Sequence, residues 1–187
     1  MPKQVLFVQG AGEAVHDRWD DKLVRSLERE LGGGYAVLYP RMPDEADPRY
    51  WAWKSALLDQ LDRLNDGAIL IGHSVGGTIL IHLLAERPPK PRLEAISLIA
   101  APFIGAGGWP SDEMEPRRDF AERLPAGVPL FLYHGTADDV VPFAHLGLYA
   151  GLIPRAVVRG LPGRGHQLEN DLSDVARDIR SLSADAP

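Results

Sequence analysis

The chain has 187 residues, 45% of them apolar and 25% charged, and its formal net charge at pH 7 is −6. This size and composition predict one globular domain over residues 1–187, with disorder confined to residues 184–187. The acidic balance argues against nucleic acid and an anionic membrane as partners, and the absence of cysteine excludes disulfides, thiolate metal sites and cysteine nucleophiles.

Apolar runs are short throughout the chain. The first, residues 5–8, is too short for the core of a signal peptide, and no run reaches the length of a membrane span. We therefore expect a cytoplasmic protein without a membrane partner, either a monomer or a weak dimer.

Six apolar runs predict buried strands, at residues 5–9, 35–39, 68–72, 95–100, 129–133 and 156–159. Between them, apolar residues recur at helical spacing. The first helical pattern carries Trp19, Leu23, Val24, Leu27 and Leu31, the second Leu57, Leu58, Leu61 and Leu64, the third covers residues 75–86, and the last carries Leu172, Val175, Ala176, Ile179 and Leu182. This alternation predicts a doubly wound, three-layer α/β/α domain with a mostly parallel sheet of about six strands. Residues 102–125 are irregular, with a short helix expected near residues 117–123.

In such sheets, ligands bind in the loops beyond the carboxyl ends of the strands. One of these loops carries Gly72-His73-Ser74-Val75-Gly76, a G-x-S-x-G pattern between a predicted strand and a predicted helix. A nucleophile elbow requires that context, because small neighbours let the serine take strained dihedrals and point above the sheet. Ser74 is the predicted nucleophile, and the competing interpretation is a glycine-rich connection with an N-capping serine.

A serine hydroxyl needs a base to remove its proton. His166 is the best candidate, because it follows the last strand and lies at the same edge of the sheet as Ser74. His16 and His134 lie at that edge too and stay open as substrate contacts, although a structural role is favoured for both. The remaining histidines are weaker candidates for the base: His73 should point away from Ser74, His82 lies in the middle of a helix and either packs or is solvated, and His145 falls in a helix after the fifth strand.

The base in turn needs a carboxylate that fixes its tautomer. The loop after the fifth strand supplies Asp138 and Asp139, and spacing alone does not separate these neighbours. A capped, solvated turn is the competing interpretation of this pair. The order serine, aspartate, histidine along the chain differs from the orders of the two well-known serine-protease folds.

An oxyanion hole would complete the site with two backbone N–H donors. Val75, at the start of the elbow helix, supplies one, and the loop after the first strand supplies the other, with Ala11 favoured over Gly12. The sequence argues against a phosphate-binding loop here, because no third glycine follows Gly10 and Gly12 and nearby carboxylates would repel phosphate.

The predicted substrate pocket combines Gly10 and Gly12 with Phe103, Trp109 and Phe143. Residues 102–120 are the only candidate lid, so we expect an open site. No metal and no cofactor are expected, because the acidic group at residues 44–47 lacks the pattern of a calcium loop and is better explained as a solvated loop.

With these residues, the chain resembles the α/β-hydrolase superfamily over nearly its whole length. It is most similar to the short serine hydrolases grouped with the retinoblastoma-binding serine hydrolase and its bacterial relatives. The motifs that carry the resemblance are VQGAG at residues 8–12, GHSVGG at 72–77, HGTADDVVP at 134–142 and GRGH at 163–166. The superfamily places the triad acid three residues after the glycine of the third motif, which implies Asp138. The chain departs from the pattern at Gln9, where a histidine is usual, and we expect neither a cap domain nor the antiparallel hairpin with which many members begin.

The resemblance implies a minimal α/β-hydrolase fold that cleaves a small carboxylic ester or related acyl substrate. The catalytic groups would be Ser74, His166 and Asp138, acting through an acyl-enzyme intermediate. Carboxylesterase, thioesterase and amidase activities all fit this chemistry. Two alternatives stay open: a non-catalytic binding or scaffold protein that retains the fold, and an enzyme of different chemistry on the same fold, such as a lyase or a cofactor-free peroxidase.

Overall fold

A parallel sheet of six strands forms the centre of the computed structural model, which describes residues 1–184. In chain order the strands are β1 (Lys3–Val8), β2 (Tyr35–Leu38), β3 (Ala68–His73), β4 (Leu93–Ile99), β5 (Leu130–Gly135) and β6 (Val157–Leu161). They lie in the order β2-β1-β3-β4-β5-β6, and every neighbouring pair is parallel. The prediction of a doubly wound sheet of about six strands is confirmed, with strand boundaries correct to within two residues.

The helices pack on both faces of this sheet. They are α1 (Asp21–Leu31), α2 (Tyr50–Leu61), α3 (Ser74–Glu86), α4 (Phe120–Arg123), α5 (Ala144–Leu152) and α6 (Ser173–Ala184). Within residues 1–184 there is no inserted cap domain, and no helix combines the length and the apolar content that a membrane span requires. Residues 185–187, which make up most of the segment predicted to be disordered, lie outside the described part of the chain.

Strands that are apolar at every position bury both faces of the sheet. In β1, Leu6 and Val8 contact the apolar layer formed with α2, α3 and α5, whereas Val5 and Phe7 contact the layer formed with α1 and α6. Because successive side chains of a strand point to opposite faces, each central strand contributes to both layers. The site loops are therefore mounted on a sheet that is packed from both sides.

The segment before α1 departs from the predicted helical pattern. Residues His16–Asp20 form a π-helical turn, in which the hydrogen bonds join residues five apart, so the turn is out of phase with the 3.6-residue pattern that follows it. Trp19, the first residue of the helically spaced apolar pattern, is 51% exposed. Asp20 takes the interior position instead and is fully buried.

The irregular segment folds back on the body of the protein. The expected short helix is present as α4. Upstream of it, the backbone N–H of Phe103 donates to Nδ1 of His145 on α5 at 2.8 Å, and the N–H of Trp109 donates to the carbonyl of Phe103. These contacts tie residues 103–109 to α5.

His82 is a neutral core residue of α3. Only 6% of it is exposed, and its ring packs against Phe120 with 5.1 Å between the ring centroids. Burial disfavours the imidazolium and lowers the pKa of His82 to about 4, although the charge of Glu86 acts in the opposite direction. Of the two environments expected for His82, packed or solvated, the structure shows the packed one.

The burial of His82 makes stability depend on pH. We expect the free energy of unfolding to fall by up to about 3 kcal/mol as the pH drops from about 6.5 to about 4, because the unfolded chain binds a proton that folded His82 excludes. His82→Gln should remove this component. Urea unfolding of both proteins at several pH values in that interval measures it, and equal losses of stability in the two proteins would contradict the prediction.

Candidate active site

The candidate site lies at the point where the strand order of the sheet reverses. β1 pairs with β2 on one side and with β3 on the other, so the loops after β1 and β3 leave the sheet edge in different directions. Parallel sheets bind their ligands in the crevice that results. A cavity of about 570 Å³ opens there, with Gly10, Ala11, Ser74 and His166 in its wall.

Ser74 lies at a sharp turn between β3 and α3. Its φ of 51° is in the left-handed region, which is strained for a residue with a side chain. Added Cβ atoms at the neighbouring glycines would collide with backbone: at Gly72, 2.4 Å from Cα of Gly77, and at Gly76, 1.9 Å from the carbonyl oxygen of Gln9. The close approach of helix and strand therefore requires glycine at both positions, as the elbow interpretation of the sequence demands.

Ser74, His166 and Asp138 form a continuous hydrogen-bonded chain. Oγ of Ser74 lies 3.0 Å from Nε2 of His166, and Nδ1 of His166 lies 2.9 Å from Oδ2 of Asp138. Because Nδ1 faces a carboxylate it carries the proton, which leaves the lone pair of Nε2 free to accept the serine hydroxyl. Sequence reasoning selected these three side chains, and the structure brings them together.

The carboxylate of Asp138 is fully buried and heavily hydrogen-bonded. Its Oδ1 accepts the backbone N–H groups of Val140 and Val141 at 2.9 and 2.8 Å, and its Oδ2 lies 3.0 Å from Nε2 of His134. Burial alone would raise the pKa of Asp138, but hydrogen bonds from His134, His166 and Val141 outweigh it and hold the pKa well below its ordinary value. The side chain beside His166 is therefore an ionised acceptor.

Asp139 occupies a different environment from its neighbour. Its side chain is exposed and lies in the wall of the cavity, away from the hydrogen-bonded chain. The ambiguity between the two adjacent carboxylates is thus resolved in geometry, because Asp138 is the one that contacts the imidazole of His166.

The loop after β1 offers one unengaged backbone donor to the cavity. The N–H of Gly10 donates to Oδ2 of Asp20 at 2.6 Å, and the N–H of Gly12 donates to the carbonyl of Glu45 at 2.6 Å. The alternative that Gly12 supplies an oxyanion donor is therefore wrong. Within residues 1–184 the N–H of Ala11 has no acceptor, and the N–H of Val75 lies in the first turn of α3, where helical N–H groups lack intrahelical partners.

Sequence reasoning missed Asp20 as a site residue. Its carboxylate is fully buried and contacts three loops: Oδ2 accepts from Gly10 and lies 3.0 Å from Nδ1 of His73, and Oδ1 accepts from Nε2 of Gln167 at 3.2 Å. Asp20 falls within an apparently regular helical pattern, so only recognition of the π-helical turn would have pointed it inward.

The turn that follows His166 is strained. Leu168, Glu169 and Asn170 have φ values of 45°, 56° and 56°, so three consecutive residues with side chains lie in the left-handed region. Leu168 is fully buried in the layer with α1 and α6, and Oε2 of Glu169 accepts the N–H of Gly165 at 2.9 Å. These contacts hold a turn that places Glu169 and Asn170 in the cavity wall.

The predicted substrate pocket is corrected by this cavity. Gly10 lines it, but Gly12, Phe103, Trp109 and Phe143 do not. Phe103 is buried against Tyr149, Trp109 packs edge-on to His145, and Phe143 packs on His134. The apolar part of the wall comes instead from Val15, Trp19 and Val140. The side chains of Phe103 and Trp109 pack against α5, so they are not available to the site.

The other histidines have structural partners. His16 stacks on Tyr39, with 4.1 Å between ring centroids. Nε2 of His134 faces two acceptors, the carbonyl of Val141 and Oδ2 of Asp138, so it donates to both. Within the described residues, no group of three or more histidine and carboxylate side chains could hold a metal ion.

The chain belongs to the alpha/beta hydrolase family. A sequence model of that family matches residues 5–183. No curated protein sequence matches the chain significantly. The grouping with the retinoblastoma-binding serine hydrolase stays a prediction.

Solved structures share the fold over nearly the whole chain. A serine hydrolase involved in carbazole degradation, the CarC enzyme, matches with a TM-score of 0.71 at 15% identity, covering 98% of this chain and 92% of its own. The ydeN gene product from B. subtilis matches with a TM-score of 0.73 at 20% identity, covering 97% and 99%. A monoacylglycerol lipase from Paleococcus ferrophilus matches with a TM-score of 0.68 at 17% identity, covering 100% and 96%. Membership of the family supports hydrolytic activity for the chain, and the solved structures show that the fold is shared.

The contact between α3 and the loop after β1 can be tested by substitution. Gly76→Ala should cost about 3 kcal/mol of folding free energy or more, because its Cβ would lie 1.9 Å from a backbone oxygen that has no room to retreat. Gly147→Ala is the matched control, since it lies in α5 with open space around its Cβ and should be neutral or slightly stabilising. Urea unfolding measures both changes, and equal effects would contradict the packing argument.

Proposed function

We propose that the protein is a serine hydrolase that cleaves a small carboxylic ester or related acyl substrate through an acyl-enzyme on Ser74. The observation that carries the proposal is the hydrogen-bonded chain from Oγ of Ser74 through the imidazole of His166 to the buried carboxylate of Asp138. Ser74 and His166 line a cavity at the edge of the sheet where parallel sheets bind ligands.

The acylation step follows from the protonation states of these groups. Oγ of Ser74 attacks the carbonyl carbon of the substrate while its proton passes to Nε2 of His166. Asp138 keeps the ring oriented and stabilises the imidazolium that forms, since its carboxylate stays charged. When the tetrahedral intermediate collapses, the carbon–leaving-group bond breaks and the leaving group takes the proton from His166.

Deacylation repeats these steps with water as the nucleophile. His166 accepts a proton from water as the water oxygen attacks the acyl carbon. Collapse of the second tetrahedral intermediate breaks the bond to Oγ, and the proton on Nε2 returns to Ser74. The products are a carboxylic acid and the free enzyme.

Two backbone donors would stabilise the oxyanion of each tetrahedral intermediate. The proposal assigns them to Ala11 and Val75, which flank Ser74 from the loop after β1 and from the first turn of α3. Removing one such donor in a serine hydrolase lowers kcat about 100- to 1,000-fold. The expected rate therefore depends strongly on the position of the loop that carries Ala11.

The cavity suits a short substrate with one apolar part. Its volume of about 570 Å³ lies within the range for small-molecule sites. Val15, Trp19 and Val140 supply the apolar surface for an acyl chain or a leaving group. p-Nitrophenyl esters of graded acyl length test this proposal, and we expect the highest kcat/KM for the shortest chains.

Ser74→Ala should abolish this activity. We expect kcat to fall at least about 1,000-fold with the fold intact, because no other group supplies the nucleophile. Ser97→Ala is the matched control: Ser97 is fully buried in β4, its Oγ has no partner among the described residues, and its loss should leave kcat unchanged. Ester hydrolysis and labelling by a fluorophosphonate probe measure both variants.

The comparison of Ser74→Ala with Ser97→Ala distinguishes an enzyme from a binding or scaffold protein. Full activity or full labelling in the Ser74→Ala protein would contradict the mechanism. A folded wild-type protein that is neither labelled nor active on any acyl ester would favour the alternative of a binding or scaffold protein.

The two adjacent aspartates should differ sharply in their effect. Asp138→Asn should lower kcat about 100-fold or more, because it removes the charge that orients and stabilises His166. Asp139→Asn should change kcat less than about threefold, since its exposed side chain does not contact the imidazole. Steady-state kinetics of the two variants would show the assignment reversed if the larger loss followed Asp139→Asn.

A further inference from the structure

A second aspartate–histidine pair lies directly behind the candidate site. Asp20 is fully buried and His73 is 1% exposed, and Nδ1 of His73 lies 3.0 Å from Oδ2 of Asp20. The ring of His73 is 4.9 Å from the ring of His166, centroid to centroid. Sequence reasoning expected the side chain of His73 to point away from Ser74, and the structure places His73 in the wall of the same cavity.

The contacts of His73 identify its protonation state. Nδ1 faces the carboxylate of Asp20, and Nε2 faces the backbone carbonyl of His166 at 3.2 Å. Both partners are acceptors, so both ring nitrogens must donate, and His73 is an imidazolium. Burial alone would lower the pKa of His73, but the charge of Asp20 and its hydrogen bond outweigh burial and raise it.

The pair joins the end of β3 to the loops after β1 and β6. Asp20 accepts a hydrogen bond from the N–H of Gly10, the residue before Ala11, whose own N–H is unengaged. It accepts a second hydrogen bond from Nε2 of Gln167, the residue after His166. His73 donates to the carbonyl of His166 itself and immediately precedes Ser74 in the chain. His166 is therefore hydrogen-bonded to the pair directly. Ser74 and Ala11 are each adjacent in sequence to a residue that belongs to the pair or is hydrogen-bonded to it.

We propose that Asp20 and His73 form a positioning pair: a buried ion pair that sets the distance between Ser74, the imidazole of His166 and the N–H of Ala11. Neither residue exchanges a proton with substrate. The inference rests on the proposed function, since positioning matters only if those groups react. It goes further by assigning roles to a carboxylate and a histidine outside the Ser74, His166 and Asp138 set.

The groups that face His73 come from three elements, and Asp20 is the one carboxylate among the described residues that contacts it. Asp20 faces it from the π-helical turn, and the backbone carbonyl and the ring of His166 face it from the loop after β6. Asp138, on the loop after β5, adds only a more distant negative charge. No other carboxylate in the described chain contacts His73, so Asp20→Asn should leave the imidazolium without its balancing charge.

Asp20→Asn and His73→Gln test the proposal directly. We expect kcat on a short p-nitrophenyl ester to fall about 10- to 100-fold in each variant, with KM changed less than about threefold, because misplaced groups affect the reacting geometry more than substrate binding. The double variant should lose no more than the worse single variant, because both changes break the same pair. Fully additive losses would overturn the pairing.

A control separates positioning from general destabilisation. His82→Gln replaces another buried histidine, which lies in α3 and does not line the cavity. It should lower the melting temperature while leaving kcat unchanged. Folded Asp20→Asn or His73→Gln protein with wild-type kcat would overturn the positioning role, as would losses that merely follow melting temperature.

Two further measurements keep the test decisive. The ¹⁵N chemical shifts of His73 in the wild-type protein near neutral pH should report two protonated ring nitrogens, and a neutral ring would overturn the proposal even if Asp20→Asn fails to fold. Fluorophosphonate labelling of wild-type Ser74 tests the proposed function on its own. An unlabelled wild type would overturn both claims, whereas equal labelling rates in wild type and Asp20→Asn would overturn only the positioning role.

Discussion

The turn from β3 into α3 is the constraint on which the site depends. The helix starts so close to the loop after β1 that the space beside Gly76 is filled by the carbonyl of Gln9. That approach forces Ser74 into the left-handed region and brings the first turn of α3 beside the loop carrying Ala11. The sheet, packed on both faces, supplies the rigidity that a strained turn needs in order to persist. The location of the nucleophile is thus a consequence of helix–strand packing.

The two aspartate–histidine pairs are built for different tasks. Asp138 contacts a histidine whose other nitrogen faces a hydroxyl, so that ring can accept and return a proton. Asp20 contacts a histidine whose other nitrogen faces a carbonyl, so that ring can only donate. The same two residue types therefore give a proton-transfer pair in one position and a fixed ion pair in the other. What differs is the third partner and not the burial of the carboxylate, since both aspartates are fully buried.

How far the sequence predicts the molecule depends on the range of the interactions involved. The strands and the elbow were predictable because β3, the glycines and α3 are contiguous in the chain and their patterns are local. Selection of Asp138 over Asp139 required a family pattern, because adjacent residues share every local signal. The pocket prediction was wrong for Phe103, Trp109 and Phe143, since the direction of loop side chains is decided by distant partners on α5 and β5. Asp20 was missed because a single π-helical turn changed which side of the segment faces the interior.

The left-handed turn at Leu168, Glu169 and Asn170 connects the apolar layer of α1 and α6 to the loop that carries His166. Each residue with a side chain in that region costs about 1–2 kcal/mol. The burial of Leu168 in the layer with α1 and α6 and the hydrogen bond from Gly165 to Glu169 offset part of that cost. The turn therefore keeps a strained backbone conformation two residues after His166, and that conformation persists only while its packing contacts do. A substitution that loosens the packing of Leu168 in the layer with α1 and α6 would therefore also disturb the loop that carries His166. Residues that do not contact the cavity thus help to fix the position of His166.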